Sequence, residues 1–162
     1  DSLGAADYVA GIVESSAGNL IVLLPAIVFL VGCFLAFATG TSWGTFGILI
    51  PIVVSVFGGN MDNTLMIVSI SACMAGAVCG DHCSPISDTT IMASAGAQCD
   101  HISHVNTQLP YAITAAAISL VCYLLTGVFF MAGIAPIIVL PVGIVLTIVL
   151  MGVIKKATAK AA

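Results

Sequence analysis

Apolar runs long enough to cross a lipid bilayer constrain this chain more than any other feature of its sequence. A hydrocarbon core of roughly 30 Å needs about 20 consecutive apolar residues in a helix. The runs at 19–38, 108–131 and 135–154 reach this length. Of all residues, 60% are hydrophobic and 6% are charged, whereas the surface of a water-soluble domain must carry charge. The sequence therefore predicts an all-α integral membrane protein.

The ionisable residues and the cysteines argue against two other classes of protein. The chain has three lysines, no arginine and seven acidic residues, so it lacks the basic surface that binds nucleic acid. The six cysteines lie mostly within or beside apolar runs, which favours small packing residues over a disulfide scaffold. The chain starts at Asp1 and shows no signal peptide, so we expect it to be a piece of a longer protein.

The first two apolar runs predict a helical hairpin over residues 19–57. The second run, at 43–57, would extend only about 22 Å as a helix, which is too short for a full crossing. We therefore interpret the two runs as the arms of a re-entrant hairpin, with two plain spanning helices as the alternative. Its polar tip, residues 39–45, contains glycines and hydroxyl side chains that could approach an ion, namely Thr39, Thr41, Ser42 and Thr45. Residues 1–18 predict a short amphipathic helix at the membrane interface or an ordinary lead into the first helix.

A polar interruption in the third apolar run predicts a discontinuous helix over 63–97, broken at 80–88. Before the break, Ala72, Gly76 and Gly80 recur every four residues and form a small-residue face for close helix packing.

The residues at the break predict how its two halves end and begin. We expect Gly80 to end the first half in a left-handed conformation, which would leave nearby carbonyl groups free to bind a cation. Ser84 and Pro85 then fit the N-cap and the first position of the second half.

Two carboxylates and two hydroxyls cluster at this break. Ser84, Ser87 and Asp88 have the spacing i, i+3, i+4 and would share one helix face, with Asp81 in the link before them. An ionised acid inside a bilayer costs about 2.5 kcal/mol or more, so such a residue indicates a functional site. Sodium prefers oxygen ligands, and a buried carboxyl group can hold either a proton or a sodium ion. The alternative is that each aspartate only caps a helix end at the lipid–water boundary.

Helix dipoles predict different roles for the two carboxyl groups. Asp81 would lie near carbonyl ends, which disfavour its charge, and Asp88 would lie in a first turn, which favours it. We expect Asp81 to be protonated more readily and Asp88 to stay ionised.

The remaining runs set the topology. We expect a cytoplasmic loop at 98–107, transmembrane helices at 108–131 and 135–154, and a basic tail at 155–162. Positive residues favour the cytoplasm, so the tail predicts a cytoplasmic C-terminus in a multi-pass protein of the inner cell membrane. The basic residues of the tail are Lys155, Lys156 and Lys160.

Cysteine and histidine residues leave a transition-metal site as an alternative. The spacing gives it little support, because the chain has no repeated Cys-x-x-Cys and no HExxH. A metal-dependent intramembrane enzyme would be built on Cys99, Asp100, His101 and His104 together with Asp81, His82 and Cys83.

Two strings resemble the NhaC-type sodium/proton antiporter family, whose C-terminal half carries very similar segments. They are FATGTSWGTFGILIP at 37–51 and GDHCSPISDTTIMASAGAQCDHISHVNTQLPYA at 80–112. The resemblance covers most of residues 19–130. It implies inverted repeats, each with a re-entrant hairpin and a broken helix, and a missing N-terminal half. The matching polar residues that it implies for the ion site are Thr41, Ser42, Asp81, Ser84, Ser87, Asp88 and Thr89.

The resemblance also implies the function: a secondary transporter, not an enzyme, that exchanges sodium ions for protons. It implies no cofactor, with the sodium ion and the proton as transported ligands. The expected partners are the lipid bilayer, the missing half and a second copy in a homodimer. Some relatives also couple transport to carboxylates such as malate and lactate. A dicarboxylate site would ordinarily recruit Arg or Lys, and this chain has neither before Lys155, which favours simple cation exchange.

Overall fold

The described part of the molecule, residues 19–58 and 63–161 of a computed structural model, is helical throughout its regular elements. It confirms the all-α prediction. The predicted interfacial segment at 1–18 lies outside the described residues. The helices are α1 (Asn19–Thr39), α2 (Ser42–Val56), α3 (Thr64–Cys83), α4 (Asp88–Gly96), α5 (His101–Met131), a 3₁₀ helix (Pro136–Ile138) and α6 (Val139–Ala161).

Four of the described helices are long and apolar enough to cross a membrane: α1, α3, α5 and, together with the 3₁₀ helix, α6. Helix α2 has 15 residues and falls short of this length. The chain is therefore a multi-pass membrane protein by the length and composition of its helices.

The turn between α1 and α2 is as short as the predicted hairpin requires. Gly40 adopts φ +69°, a conformation that favours glycine, and Thr41 caps α2 by accepting a hydrogen bond from the amide of Gly44. Both helices also pack against α3, and α1 makes the most extensive helix–helix contact with it. The re-entrant character of the hairpin stays a prediction.

Helices α1 and α3 approach each other at their backbones. A Cβ atom added to Gly76 would clash with the carbonyl oxygen of Phe29, and one added to Gly80 would clash with that of Cys33. The predicted small-residue face of α3 is thus the face that α1 covers. The apolar core beside it joins three helices through Leu24, Val28, Leu49, Val53, Val56, Met66 and Cys73.

The prediction that Gly80 ends the first half-helix is wrong. Gly80 is helical and buried, and α3 continues to Cys83, so the break covers four residues, 84–87, and not 80–88. The glycine serves the close contact with α1 instead of a left-handed helix end. Helix α3 alone has 20 residues, so the interruption lies at the end of a membrane-length helix.

The predicted loop at 98–107 is mostly helix. Asp100 caps α5 by accepting a hydrogen bond from the amide of Ser103, and the connection between α4 and α5 is confined to residues 97–100. Helix α5 then runs for 31 residues to Met131. Helix α6 continues through most of the predicted basic tail to Ala161.

Candidate ion site at the helix break

The break between α3 and α4 is a hydrogen-bonded turn. The amide of Ser87 donates to the carbonyl of Ser84 at 3.4 Å, and Pro85 takes the second turn position, where its fixed φ is favourable. Ser84 caps the C-terminal end of α3, and Ser87 caps the N-terminal end of α4 by accepting from the amide of Thr89 at 3.2 Å. The assignment of Ser84 and Pro85 as the start of the second half-helix is therefore wrong by three residues.

Asp81 is the buried acid of this region. Its side chain is 6% exposed and lies in the last turn of α3, not in the link after that helix. One carboxylate oxygen accepts from the hydroxyl of Ser87 at 2.7 Å, and the other accepts from the hydroxyl of Thr89 at 2.8 Å. The carboxyl group thus holds the end of α3 to the first turn of α4. Both partners are neutral, so they do not balance the charge of an ionised carboxylate.

The turn at 84–87 lies against the tip of the α1–α2 hairpin. Ser84 is fully buried and its hydroxyl donates to the carbonyl of Phe37 at 2.8 Å. A Cβ atom on Gly40 would come within 2.8 Å of the carbonyl oxygen of Ile86. The two polar segments that the sequence singles out are therefore in direct contact.

The hydroxyl groups of the tip form local bonds. Thr41 caps α2, and the buried Thr45 donates to the carbonyl of Thr41 at 2.9 Å. Ser42, the first residue of α2, is half-buried. The structure joins none of these three side chains to Asp81 by a hydrogen bond, and their place among the ion ligands stays a prediction.

The side chain of Asp88 lies apart from the group formed by Asp81, Ser87 and Thr89. Asp88 is the first residue of α4, its side chain is exposed, and it makes no side-chain hydrogen bond with the described residues. The expected shared face with Ser84 and Ser87 does not form, because both serines precede the helix. Its first-turn position does agree with the predicted dipole environment.

Helix α5 contacts the break and the end of α3 through two side chains. Nε2 of His101 lies 2.7 Å from the carbonyl oxygen of Pro85, and its Nδ1 lies 3.0 Å from the hydroxyl of Ser94. About two turns further along, the side-chain amide of Gln108 donates to the carbonyl of His82 in the last turn of α3 at 3.3 Å. Sequence reasoning missed these contacts because it placed His101 in a loop. The helix-start signal of Asp100 could have placed it in a first turn.

Two buried polar atoms of this region lack hydrogen-bond partners among the described residues, and sequence reasoning missed one of them, the hydroxyl of Thr90. The two atoms are the hydroxyl of Thr90, on a side chain that is 2% exposed, and Nε2 of His104. Thr90 directly follows a residue that binds Asp81, so its hydroxyl is a further candidate ligand. The thiol of Cys79, near the end of α3, donates to the carbonyl of Ala112 in α5.

The residues of the transition-metal alternative are not gathered into one site. Asp100 caps α5, the Nδ1 atom of His82 contacts the carbonyl of Val78 in its own helix, and Cys99 is exposed. Within residues 19–58 and 63–161, no group of three or more His, Cys, Asp or Glu side chains could hold a metal ion.

Comparison with known proteins assigns the chain to a family. The sequence profile described as the Na+/H+ antiporter family matches residues 1–128, which include the hairpin, the break and most of α5. The chain belongs to the Na+/H+ antiporter family. The NhaC-type resemblance of the two strings is consistent with this assignment. No solved structure matches the chain significantly.

Three curated proteins show what this antiporter-family chain is similar to. It is 52% identical over 120 residues to an uncharacterised protein of Haemophilus influenzae, covering 74% of the chain and 23% of the relative. It is 38% identical over 96 residues to the malate-2H+/Na+-lactate antiporter of Bacillus subtilis, covering 59% and 20%. It is 32% identical over 115 residues to an arginine/ornithine antiporter of Halobacterium salinarum, covering 68% and 23%. The chain thus spans less than a quarter of the length of these relatives.

Proposed function

We propose that this chain is the ion-binding part of a secondary active transporter that exchanges sodium ions for protons across a membrane. The observation that carries the proposal is the buried carboxyl group of Asp81, which joins the end of α3 to the start of α4 through the hydroxyls of Ser87 and Thr89. Membership of the Na+/H+ antiporter family supports it. Transport, not catalysis of a chemical reaction, is the activity that follows.

Asp81 is suited to bind a proton and a sodium ion in alternation. Its two hydrogen-bonding partners are neutral, so its negative charge calls for a proton or a cation in a low-dielectric site. The carboxylate and hydroxyl oxygens are hard ligands that suit sodium. Release of the proton and binding of sodium at one carboxyl group makes the two ions compete, which is the requirement for exchange.

In this proposal the other candidate residues serve as ion ligands, hold the turn in place or attract cations. Ser87 and Thr89 contribute hydroxyl ligands beside Asp81, and Ser84 holds the turn against α1. Asp88 acts as an accessory carboxylate that attracts cations to the break. The hairpin tip completes the ligand set through Thr41, Ser42 and Thr45. No further cofactor is needed, because the sodium ion and the proton are the transported ligands.

The site works within a larger assembly. The exposed apolar faces of the helices contact the lipid of the inner cell membrane and the remaining part of the same transporter, and a homodimer is a further arrangement. The C-terminus lies on the cytoplasmic side, as the three lysines favour.

The test is sodium/proton exchange in proteoliposomes that contain the complete transporter. An imposed sodium gradient should drive proton movement in the wild type, and Asp81→Asn should abolish it because the amide can neither release a proton nor balance a cation. Asp88→Asn, a matched change at the exposed aspartate, should retain exchange with weaker sodium affinity. Normal exchange in Asp81→Asn would refute the proposed site.

A second candidate is sodium- and proton-coupled exchange of carboxylates. It is favoured by the similarity to the protein named as a malate-2H+/Na+-lactate antiporter. Against it, the chain contains no arginine, the residue best suited to bidentate recognition of a carboxylate. Adding malate or lactate on opposite sides of the same proteoliposomes decides between the two: exchange that needs neither acid supports simple cation exchange.

A further inference from the structure

Each residue of the turn at 84–87 is held by a different part of the fold. The hydroxyl of Ser84 bonds to α1, and the backbone of Ile86 lies against Gly40 in the hairpin tip. The hydroxyl of Ser87 bonds to Asp81 of α3. The remaining residue, Pro85, has no backbone N–H. A hydrogen bond to its backbone can therefore form only at its carbonyl oxygen.

His101 of α5 provides that contact. Because a carbonyl oxygen can only accept, Nε2 of His101 must carry a proton and donate it to Pro85 over 2.7 Å. The ring is oriented by Ser94 of α4, a 3% exposed residue whose hydroxyl lies 3.0 Å from Nδ1 and 2.9 Å from the carbonyl of Ile91. The imidazole therefore links α4, α5 and the turn.

We propose that His101 is a positioning residue of the ion site, an inference that rests on the proposed sodium/proton exchange. By fixing the carbonyl of Pro85 it sets the plane of the following peptide and so the direction in which the chain reaches Ser87. Ser87 then presents its hydroxyl to Asp81 and caps α4, which brings Thr89 to the same carboxyl group. His101 itself need not touch the ion.

Loss of this contact should affect sodium binding more than turnover. Without the imidazole, the turn samples other conformations, and the apparent affinity falls in proportion to the fraction of molecules that keep the binding geometry. His101→Ala should raise the sodium KM about tenfold, the effect of losing one or two hydrogen bonds, while kcat changes by less than about twofold. The thermal stabilisation of the purified complete transporter by sodium should move to correspondingly higher sodium concentrations.

Two further variants of the His101 contact, and a double variant of His101 and Ser94, distinguish a positioning role from a general structural effect. His101→Gln keeps a side-chain N–H donor for Pro85, so it should bring the sodium KM within about threefold of the wild type. Ser94→Ala removes only the group that orients the ring and should raise the KM about threefold. The double variant His101→Ala, Ser94→Ala should be no worse than His101→Ala, because both residues act through one contact. If His101→Ala does not fold, the Ser94 and glutamine variants carry the test.

The matched control is His82→Ala, which removes an exposed imidazole whose one side-chain hydrogen bond among the described residues is to the carbonyl of Val78 in its own helix. Its sodium KM should stay at the wild-type value. An unchanged KM in His101→Ala, failure of glutamine to rescue, or additive effects of the two alanine substitutions would each overturn the positioning role. Absence of sodium/proton exchange in the wild type would instead contradict the proposed function itself.

Discussion

At the scale of single residues, burial separates two aspartates that look alike in the sequence. Asp81 and Asp88 are seven positions apart and both border the break. Only Asp81 is buried and hydrogen-bonded, whereas Asp88 is exposed at the start of α4. A carboxylate that is shielded from water is strongly stabilised by the one cation or proton that binds to it, which is the property that an exchange site needs.

Thr89 offers a test of the hydroxyl ligands beside Asp81. Thr89→Val keeps the shape of the side chain and removes the hydroxyl that donates to the carboxylate over 2.8 Å. Since a hydrogen bond to a charged group contributes about 1.5–3 kcal/mol, we expect the sodium affinity to fall at least about tenfold. Sodium titration of the purified complete transporter, followed by its thermal stability, measures this.

The control for Thr89→Val is Thr114→Val, because the hydroxyl of Thr114 donates to the carbonyl of Pro110 in its own helix and to no other group in the described part of the chain. The control variant should bind sodium like the wild type. Equal affinities in both variants would remove Thr89 from the ligand set.

At the scale of helices, the glycines of α3 decide how closely it packs on α1. Gly76 and Gly80 face carbonyl oxygens of α1, and this contact brings Cys33, Phe37 and the hairpin tip to the end of α3. The periodic small residues in the sequence predict the face but not the partner. The same glycine that sequence reasoning used as a helix end is needed inside the helix, where the absence of a Cβ allows the approach.

Gly80→Ala tests this packing. The added Cβ would meet the backbone of α1, so the helices must separate, and overpacking of this kind costs about 1–3 kcal/mol. We expect a lower midpoint of thermal unfolding in detergent. Gly47→Ala on α2 is the control, since among the described residues no heavy atom beyond its chain neighbours and its own helix backbone lies within 4 Å of the added Cβ, and alanine favours a helix by up to about 1 kcal/mol. Equal midpoints for Gly80→Ala and the wild type would contradict the close packing of α1 and α3.

At the scale of the whole molecule, the helices differ in how much of their surface the fold covers. In the membrane-spanning segments of α3 and α1, 50% and 44% of the residues are buried inside the described structure. The corresponding shares are 11% for α5 and 6% for α6. The break and the hairpin tip lie on the covered pair. Helices α5 and α6 present their apolar surface outward, where lipid or the remaining part of the transporter can cover it.

The orientation of the molecule can be tested at Cys99, which is exposed in the connection between α4 and α5. In a complete transporter with Cys99 as its sole cysteine, a membrane-impermeant maleimide should react from the cytoplasmic side only. A variant that keeps only Cys73, which is 0% exposed, should react from neither side until it is denatured. Labelling of Cys99 from the outside would invert the proposed topology.

The sequence by itself determined the helical membrane class, the short second run, the small-residue face of α3 and the segments that form the site, since these depend on run length, composition and local spacing. Only the tertiary structure decided that Gly80 lies within a helix, that Ser87 is the cap of α4, and that Asp81 and not Asp88 is buried. Local propensity allows either serine as the cap and either conformation for the glycine. The close approach of α1 favours the helical conformation of Gly80. Helix α3 therefore continues past Gly80 to Cys83, the break begins at Ser84, and Asp81 lies in the last helical turn beside Ser87 and Thr89.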